Sequence, residues 1–453
     1  MEERGDAAAE PARYDGQGAF RTLLGVTLGW IMDTTDLMLL ALLGPDIGIS
    51  LGFSESVWNA GYFQLVFGAQ LAFSTLGAVI FGMLGDRIGR KKALVIDLLV
   101  FAASGVALLV SVNEHMFLAA RILTGMALGG EWGLAAALIT ETQATKNRGL
   151  GVAIFQAGWP IGIIIAALFA MGLRSTGFSL FPGLFWWKTA FLVELFSIPI
   201  ALYIWRYVPQ SQHWLSKKKD HVDIMKALGP LAKLFRGRQL VRTLKAMTLT
   251  SVGFFAFYIV WTLVPNELVA AGDITRDQKF MLAALAGLAG IPGNLSFGYV
   301  SDWLKWKNAR KKLFTFYCII FATSTVLIPV AGNNIPFLAA LLCMFQFSCG
   351  GFSSFGALFG ELFHTSYKAT GTNVCYNIGR TFAGMMQMAA AVALFGAALG
   401  WSLLMAASVL SCILILLDSV IMWSFPDTEG RSVDELDGMY ENENKAQEKH
   451  LHG

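Results

Sequence analysis

Asp33 and Asp36 stand three residues apart inside an apolar stretch of this chain. At helical spacing their side chains share one face. Counted from Arg21 at about 1.5 Å per residue, they lie roughly 18 and 22 Å along a helix, which is mid-bilayer depth. An ionisable group placed there costs roughly 2.5–3.5 kcal/mol on insertion scales, so each one invites a functional reading. Two carboxylates crowded into a low-dielectric cavity repel, and such a pair is suited to taking up and releasing a proton. Proton coupling is the expectation for both, and satisfaction by a neighbouring helix is the alternative. Glu131, also deep in an apolar segment, is expected on the same proton path.

A cation of the same kind sits late in the chain. Arg380 lies roughly 15 Å from the start of its apolar segment at helical rise. Asn373, Asn377, Arg380, Gly384 and Gln387 recur at four- and three-residue steps and form one polar stripe. A guanidinium offers two parallel donors in a fixed plane, the geometry of a carboxylate. Arg380 is therefore expected to hold a substrate anion, with Asn373, Asn377 and Gln387 beside it. A permanent ion pair with an aspartate of the first span is the alternative. For Arg121, structural pairing and substrate contact stand equally open. Tyr258 and Thr262 continue a hydroxyl stripe from Thr248 and Ser251, and Gln156 precedes the interruption Gly158-Trp-Pro-Ile-Gly162. These are further candidates for contact with a polar substrate, with helix packing as the alternative.

Positioning such groups takes helices that cross a membrane. Charged residues make up 14% of the chain and hydrophobic residues 55%, whereas a soluble domain carries about 25% charged residues. A spanning helix needs about 20 mostly apolar residues. Such segments run near 20–43, 57–84, 93–111, 116–139, 149–172 and 188–207, then near 245–268, 279–301, 311–331, 336–361, 370–393 and 400–424. Runs this long exclude a β-barrel, whose strands are short and alternating. The expected fold is an all-α membrane protein of twelve transmembrane helices in two six-helix bundles. The organisation is a tail over 1–19, a bundle over 20–207, a connector over 208–244, a second bundle over 245–424 and a tail over 425–453.

Basic residues orient the chain, because cytoplasmic loops carry the excess of lysine and arginine. With the N-terminus inside, twenty-eight of them fall on the inner side and four on the outer, and Arg121 and Arg380 remain within helices. Both termini are thus expected in the cytoplasm. The acidic first residues lack the basic region of a cleavable signal, so the first span is expected to be retained. Five cysteines lie in apolar segments without zinc-ligand spacing, and the six histidines fall in loops or the tail. No metal or other cofactor is expected. No phosphate-cradling loop and no nucleophile–base constellation is present, which argues against an ATP-driven pump and against an enzyme.

The second half echoes the first. Gly82-Met-Leu-Gly-Asp86-Arg-Ile-Gly-Arg-Lys-Lys92 corresponds to Gly298-Tyr-Val-Ser-Asp302 followed by Arg310-Lys-Lys312. Phe117-Leu-Ala-Ala120 recurs as Phe337-Leu-Ala-Ala340, Gly129-Gly130 as Gly350-Gly351, and Glu141 with Arg148 as Glu361 with Lys368. Parallel repeats of this type place a substrate site between the halves near the midplane. Asp86, Arg90, Glu141, Arg148, Asp302, Glu361 and Lys368 are accordingly expected as gate pairs on the inner face; topology alone is the alternative explanation of the basic ones.

The loop Gly82 to Lys92 resembles the signature between the second and third helices of the major facilitator superfamily. Val208-Pro-Gln-Ser-Gln-His-Trp-Leu215 and Phe425-Pro-Asp-Thr-Glu-Gly-Arg431 resemble that superfamily's segments after its sixth and twelfth helices. Asp33-Thr-Thr-Asp36, Arg121 with Gly129-Gly-Glu131-Trp132, and Lys368-Ala-Thr-Gly371 leading to Tyr376-Asn-Ile-Gly-Arg380 look like the organic-acid–proton symporters of the sialate, lactate and aromatic-acid groups. Those groups carry glycine or alanine and then phenylalanine between the two aspartates, where this chain has Thr34 and Thr35. The resemblance implies symport of a small organic anion with protons by a monomeric carrier in a bacterial inner membrane, with no nucleic-acid partner. It also implies supporting roles for Glu194 and Asp418. A sugar or neutral-solute carrier or an exporter of the same superfamily is the alternative, and a transporter-like sensor is a more distant one.

Overall fold

The computed structural model describes residues 16–53, 62–143, 148–181, 184–216, 229–304, 308–385, 388–428, 431–432 and 435–439. Among them every long element is a helix, and eleven are long and apolar enough to cross a membrane. In chain order these are α1 (Gly16–Ser50), α2 (Phe63–Ile88), α3 (Arg90–Leu109), α4 (Glu114–Thr142), α5 (Arg148–Gln156 with Gly158–Thr176) and α6 (Trp186–Tyr207). The second set is α7 (Gly237–Ala270), α8 (Arg276–Trp303), α9 (Ala309–Ala331), α10 (Ile335–Leu362) and α12 (Leu403–Met422). Between the last two lies α11, Lys368–Met385 continued as Met388–Leu399. The polar stripe of α11 gives its first part the low hydropathy that sets it apart. With it the count of twelve is met, in two pseudo-symmetric six-helix bundles.

The loops α2–α3 and α8–α9 lie on the face rich in lysine and arginine, called here the basic face. Four of the helices that start on the opposite face are capped by side chains. Asn113, Asn334 and Ser402 accept from the amides of Met116, Phe337 and Met405, and Thr275 forms a reciprocal capping box with Gln278. Large apolar side chains such as Leu202, Val420 and Leu394 are left exposed on the flanks, as a lipid-facing surface requires.

Glycine sets the closest helix contacts, and the same contact occurs twice. A methyl group on Gly125 or Gly129 of α4 would run into the backbone of Gln70 or Ser74 on α2. In the second half a methyl on Gly293 of α8 would run into Phe347, and one on Gly350 of α10 into Gly293 itself. Backbones this close gain dispersion contacts that larger residues would block. The duplication legible in the sequence is therefore a duplication of packing.

Candidate functional site

The aspartates of α1 share a face and yet have different partners. Arg121 of α4 donates from Nη1 to Oδ1 of Asp36 at 2.8 Å and from Nη2 to Oδ2 at 2.6 Å, a two-pronged pair with both side chains fully buried. Gln70 of α2 accepts from Arg121 Nη2 at 2.9 Å and donates to Asp36 Oδ2 at 3.5 Å. Glu194 of α6 stands 3.5 Å from Arg121 Nη1 and accepts from Ser104 Oγ at 2.7 Å. The Phe191 ring lies 5.2 Å from the guanidinium. This is a closed network of charge-assisted bonds within the first bundle. Of the two readings left open for Arg121 this is the structural pairing, and both oxygens of Asp36 accept hydrogen bonds within the network. Glu194 sits inside the network.

Asp33, one turn away, is different. Both of its oxygens are buried and neither has a donor among the described residues. It faces Glu131 of α4, whose two oxygens also lack donors, and Asp97 of α3 stands close to both. The absence of a side chain at Gly29 leaves room for the Glu131 carboxyl group, and the bare Gly130 leaves room for Asp97. Two carboxyl groups in contact form a hydrogen bond only when one holds a proton, since ionised carboxylates are acceptors alone. Asp97 went unflagged in the sequence, although an aspartate in mid-span carries the same signal that marked Asp33.

Arg380 of α11 is 1% exposed and lies in the field of Asp33. Its Nε donates to the Tyr258 hydroxyl at 3.3 Å, while Nη1 and Nη2 have no partner among the described residues. Its guanidinium stands 5.9 Å from the rings of both Trp30 and Tyr376. The permanent pair with a helix-one aspartate is thus not formed. Tyr258 and Tyr376 also line a narrow cavity between the halves, together with Gln156, Trp159, Asn294 and Gln346. Toward the opposite face lies a second, largely apolar space lined in part by Thr262 and Lys279.

The remaining candidates divide. Gln156 and Tyr258 line the inner cavity, and Thr262 lines the outer space while donating to the Tyr258 carbonyl at 2.7 Å. Asn377 donates to the Gly129 carbonyl at 2.9 Å, and the Asn373 side chain presses on Gly133. Those two asparagines join α11 to α4 and are absent from the cavity lining. Thr248 is exposed and, like Ser251, returns its hydroxyl to its own helix. Gln387 lies outside the described residues. Asp418 is buried and has no hydrogen-bond donor among the described residues. The rings of Trp132 and Tyr376 stack with centroids 3.4 Å apart, and Trp132 donates to Gln156 at 3.0 Å.

On the basic face each half holds the other by a helix start. Asp86 accepts from the amides of Ala369 and Thr370 at 3.2 and 3.0 Å and from the Thr370 hydroxyl at 2.6 Å, at the N-terminus of α11. Asp302 accepts from the amides of Gly149 and Leu150 at 3.2 and 2.7 Å, at the N-terminus of α5. A carboxylate there meets unpaired amides and the positive end of the helix dipole. Gly82 and Gly298 make the approach possible, since a Cβ on either would meet the facing backbone at 2.9 Å. Arg90 pairs with Glu141 at 3.1 Å and Asp86 at 3.3 Å, and Arg310 pairs with Glu361 at 2.9 Å. Lys368 is buried at the start of α11, and the Arg148 side chain lies outside the described residues. Gly89, with φ of +99° at the α2–α3 turn, takes a conformation that disfavours other residues, and its bare Cα faces the Gln210 side chain.

Comparison with known proteins agrees with this geometry. The family model described as Major Facilitator Superfamily matches residues 18–385. The chain is 29% identical to a putative niacin/nicotinamide transporter of Bacillus subtilis (strain 168), over 80% of this chain and 85% of that one. It is 24% identical to a sialic acid transporter of Escherichia coli (strain K12), over 88% and 93%. Among solved structures, a proton:xylose symporter superposes with a TM-score of 0.74 at 17% identity, covering 94% of this chain and 100% of the other.

Proposed function

The chain belongs to the major facilitator superfamily, and we propose that it carries a small carboxylate across the membrane together with a proton, by alternating access of its two six-helix halves. It is a multi-pass transporter and not an enzyme. One observation supports the anion reading above the rest: two guanidinium nitrogens of Arg380 are buried next to the walls of a cavity between the halves and have no hydrogen-bond partner among the described residues. A buried cation left without partners is unfavourable, and a carboxylate meeting both Nη atoms removes that penalty. The cargoes named for a sialic acid transporter and a putative niacin/nicotinamide transporter among its relatives include carboxylic acids.

Asp33 supplies the coupling in this reading. While ionised it competes electrostatically with the substrate for Arg380. A proton on Asp33, exchanged with Glu131 and Asp97, removes the competitor and releases the guanidinium to the anion. Substrate and proton then load together, and the neutralised site can be carried between faces. Asp33→Asn, which mimics the protonated form, is expected to keep substrate exchange across proteoliposomes while uphill uptake driven by a pH gradient falls to background. Wild-type uphill uptake in that variant would reject the role.

The inner gate is the pair of helix starts held by Asp86 and Asp302. In this reading the basic face is cytoplasmic, in a bacterial inner membrane, and the protein works as a monomer with both termini inside. Opening that face must break both contacts. Hydrogen bonds to a charged group contribute about 1.5–3 kcal/mol each, so Asp86→Ala is expected to raise opening by at least about tenfold. The readout is thiol labelling of Cys375, buried on α11, followed by peptide mass. Labelling at the wild-type rate would show that Asp86 does not hold the gate.

A further inference from the structure

We propose that His364 and Asp437 form a proton-controlled clamp that holds the basic face shut when the solution on that side is acidic. The inference rests on the reading of that face as the inner gate and adds what governs it.

The chain beyond α12 folds back onto the second half. Lys311 donates to the Phe425 carbonyl at 2.6 Å, the Asn308 amide donates to Asp427 at 3.2 Å, and the Thr428 hydroxyl donates to Glu361 at 2.8 Å. These contacts lead the tail past the ends of α9 and α10 to the α10–α11 loop. There Leu436 and Asp437 are buried, and Asp437 Oδ1 accepts from the Thr365 amide at 3.0 Å. The Thr365 carbonyl accepts from Nη2 of Arg90, in the first half, at 2.8 Å. One buried residue is thus gripped from both sides, by the tail and by the arginine that pairs with Asp86 and Glu141. The loop runs straight into the start of α11, whose amides Asp86 holds. Opening this face takes α11 off Asp86 and Thr365 off Arg90 together, so a carboxylate that fixes the loop favours the closed state.

His364 makes the grip depend on protons. Its Nε2 stands 3.9 Å from Asp437 Oδ2, and its side chain is partly open to solvent. Its Nδ1 lies 3.1 Å from the Ser366 amide and 2.9 Å from the Ser366 hydroxyl. In the neutral ring Nδ1 accepts from that amide, which leaves the hydrogen on Nε2. In the charged ring both nitrogens donate, Nδ1 to the hydroxyl and Nε2 toward Asp437. Both protonation states have partners in place, and only the charged one adds attraction to the carboxylate. Around the loop, Arg90 pairs with Asp86 and Glu141, Arg310 pairs with Glu361, and Lys368 opens α11. Lys233 stands 5.9 Å from the Tyr367 ring, which stacks on His364. Among these side-chain types histidine is the one whose ordinary charge change falls between about pH 5 and 8. The clamp therefore tightens as pH falls through that range and slackens as it rises. In a carrier that brings protons in with its cargo, it closes the inner face as acid accumulates there.

The test follows hydrogen exchange of the loop peptide over 363–367 in the full-length protein in nanodiscs, at about pH 5.5 and about pH 8, on either side of the histidine range. Variants are compared at one pH, so the pH dependence of the exchange chemistry cancels. In acid the wild-type loop is expected to exchange about fivefold more slowly than in His364→Gln, the size of a partly screened ion pair. At the higher pH the two should match. Asp437→Asn keeps an acceptor for the Thr365 amide but removes the charge, and should lose the acid protection as His364→Gln does. N-ethylmaleimide labelling of Cys375, taken as the ratio of the same proteins, should follow the same pattern. A ratio of wild type to His364→Gln that is the same at both pH values would overturn the clamp, and acid protection surviving in Asp437→Asn would overturn its carboxylate. A protected loop without slower Cys375 labelling would overturn its hold on the gate. Asp86→Ala, run alongside, separates the two readings. Faster labelling there with a pH-independent ratio removes the clamp and leaves the gate, whereas unchanged labelling there removes the gate while hydrogen exchange still decides the clamp.

Discussion

Arg380→Gln is expected to abolish carboxylate uptake while leaving the empty protein at least as stable as before. Truncating one partner of a buried, hydrogen-bonded charge pair costs about 2–5 kcal/mol, which is roughly thirty- to several-thousand-fold in affinity. Among the described residues the same guanidinium has the Tyr258 hydroxyl at 3.3 Å on Nε and no hydrogen-bond partner on either Nη, with Asp33 nearby and the Trp30 and Tyr376 rings at 5.9 Å. Its removal therefore relieves a desolvated charge. Arg380→Lys should rescue little, because an ammonium is a point charge without two parallel donors and reaches a carboxylate from one direction only. Uptake rates in proteoliposomes and melting of the purified protein together decide the matter. Half of wild-type uptake in either variant would sink the assignment.

The opposite outcome is expected at the other buried arginine. Arg121→Ala leaves the carboxylates of Asp36 and Glu194 without their cation in the interior of the first bundle. Breaking a buried ion pair from one side costs about 3–5 kcal/mol, because the surviving charge is uncompensated. Lower yield and a clear fall in melting temperature should follow, before any question of transport arises. Asp36→Asn alone should do the same to a lesser degree, since Gln70 can still bond the amide that replaces the carboxylate. The double variant Asp36→Asn with Arg121→Gln should recover much of the loss, since residues of one network are coupled and not additive. A stable Arg121→Ala protein with lost substrate binding would return Arg121 to the substrate site. Two arginines in mid-membrane thus have contrasting signatures: one holds the fold, and the other waits for cargo.

The contrast was not legible in the sequence. Asp33 and Asp36 looked equivalent, because a three-residue spacing specifies a shared helix face and nothing about what stands opposite. Asp36 meets Arg121 and Gln70, and Asp33 meets Glu131 and Asp97. The difference comes from which side chains of the neighbouring helices each aspartate meets. Similarly, the stripe on α11 was real as a stripe, yet Asn377 faces α4 and Arg380 faces Tyr258 and Trp30. The gate residues were partly legible. The duplicated aspartates pointed to the inner face, but not to the helix starts of α11 and α5 that they hold.

What the amino-acid order determined unaided was the membrane architecture. Spans, their number and the doubling of the motif follow from local composition and period, because each apolar run satisfies its backbone within itself and needs no partner to be recognised. What the tertiary structure decided was which buried charge is neutralised and which is left open. That choice depends on distances of a few ångströms between helices far apart in the chain, set by glycine contacts such as Gly125 on Gln70 and Gly82 on Thr370.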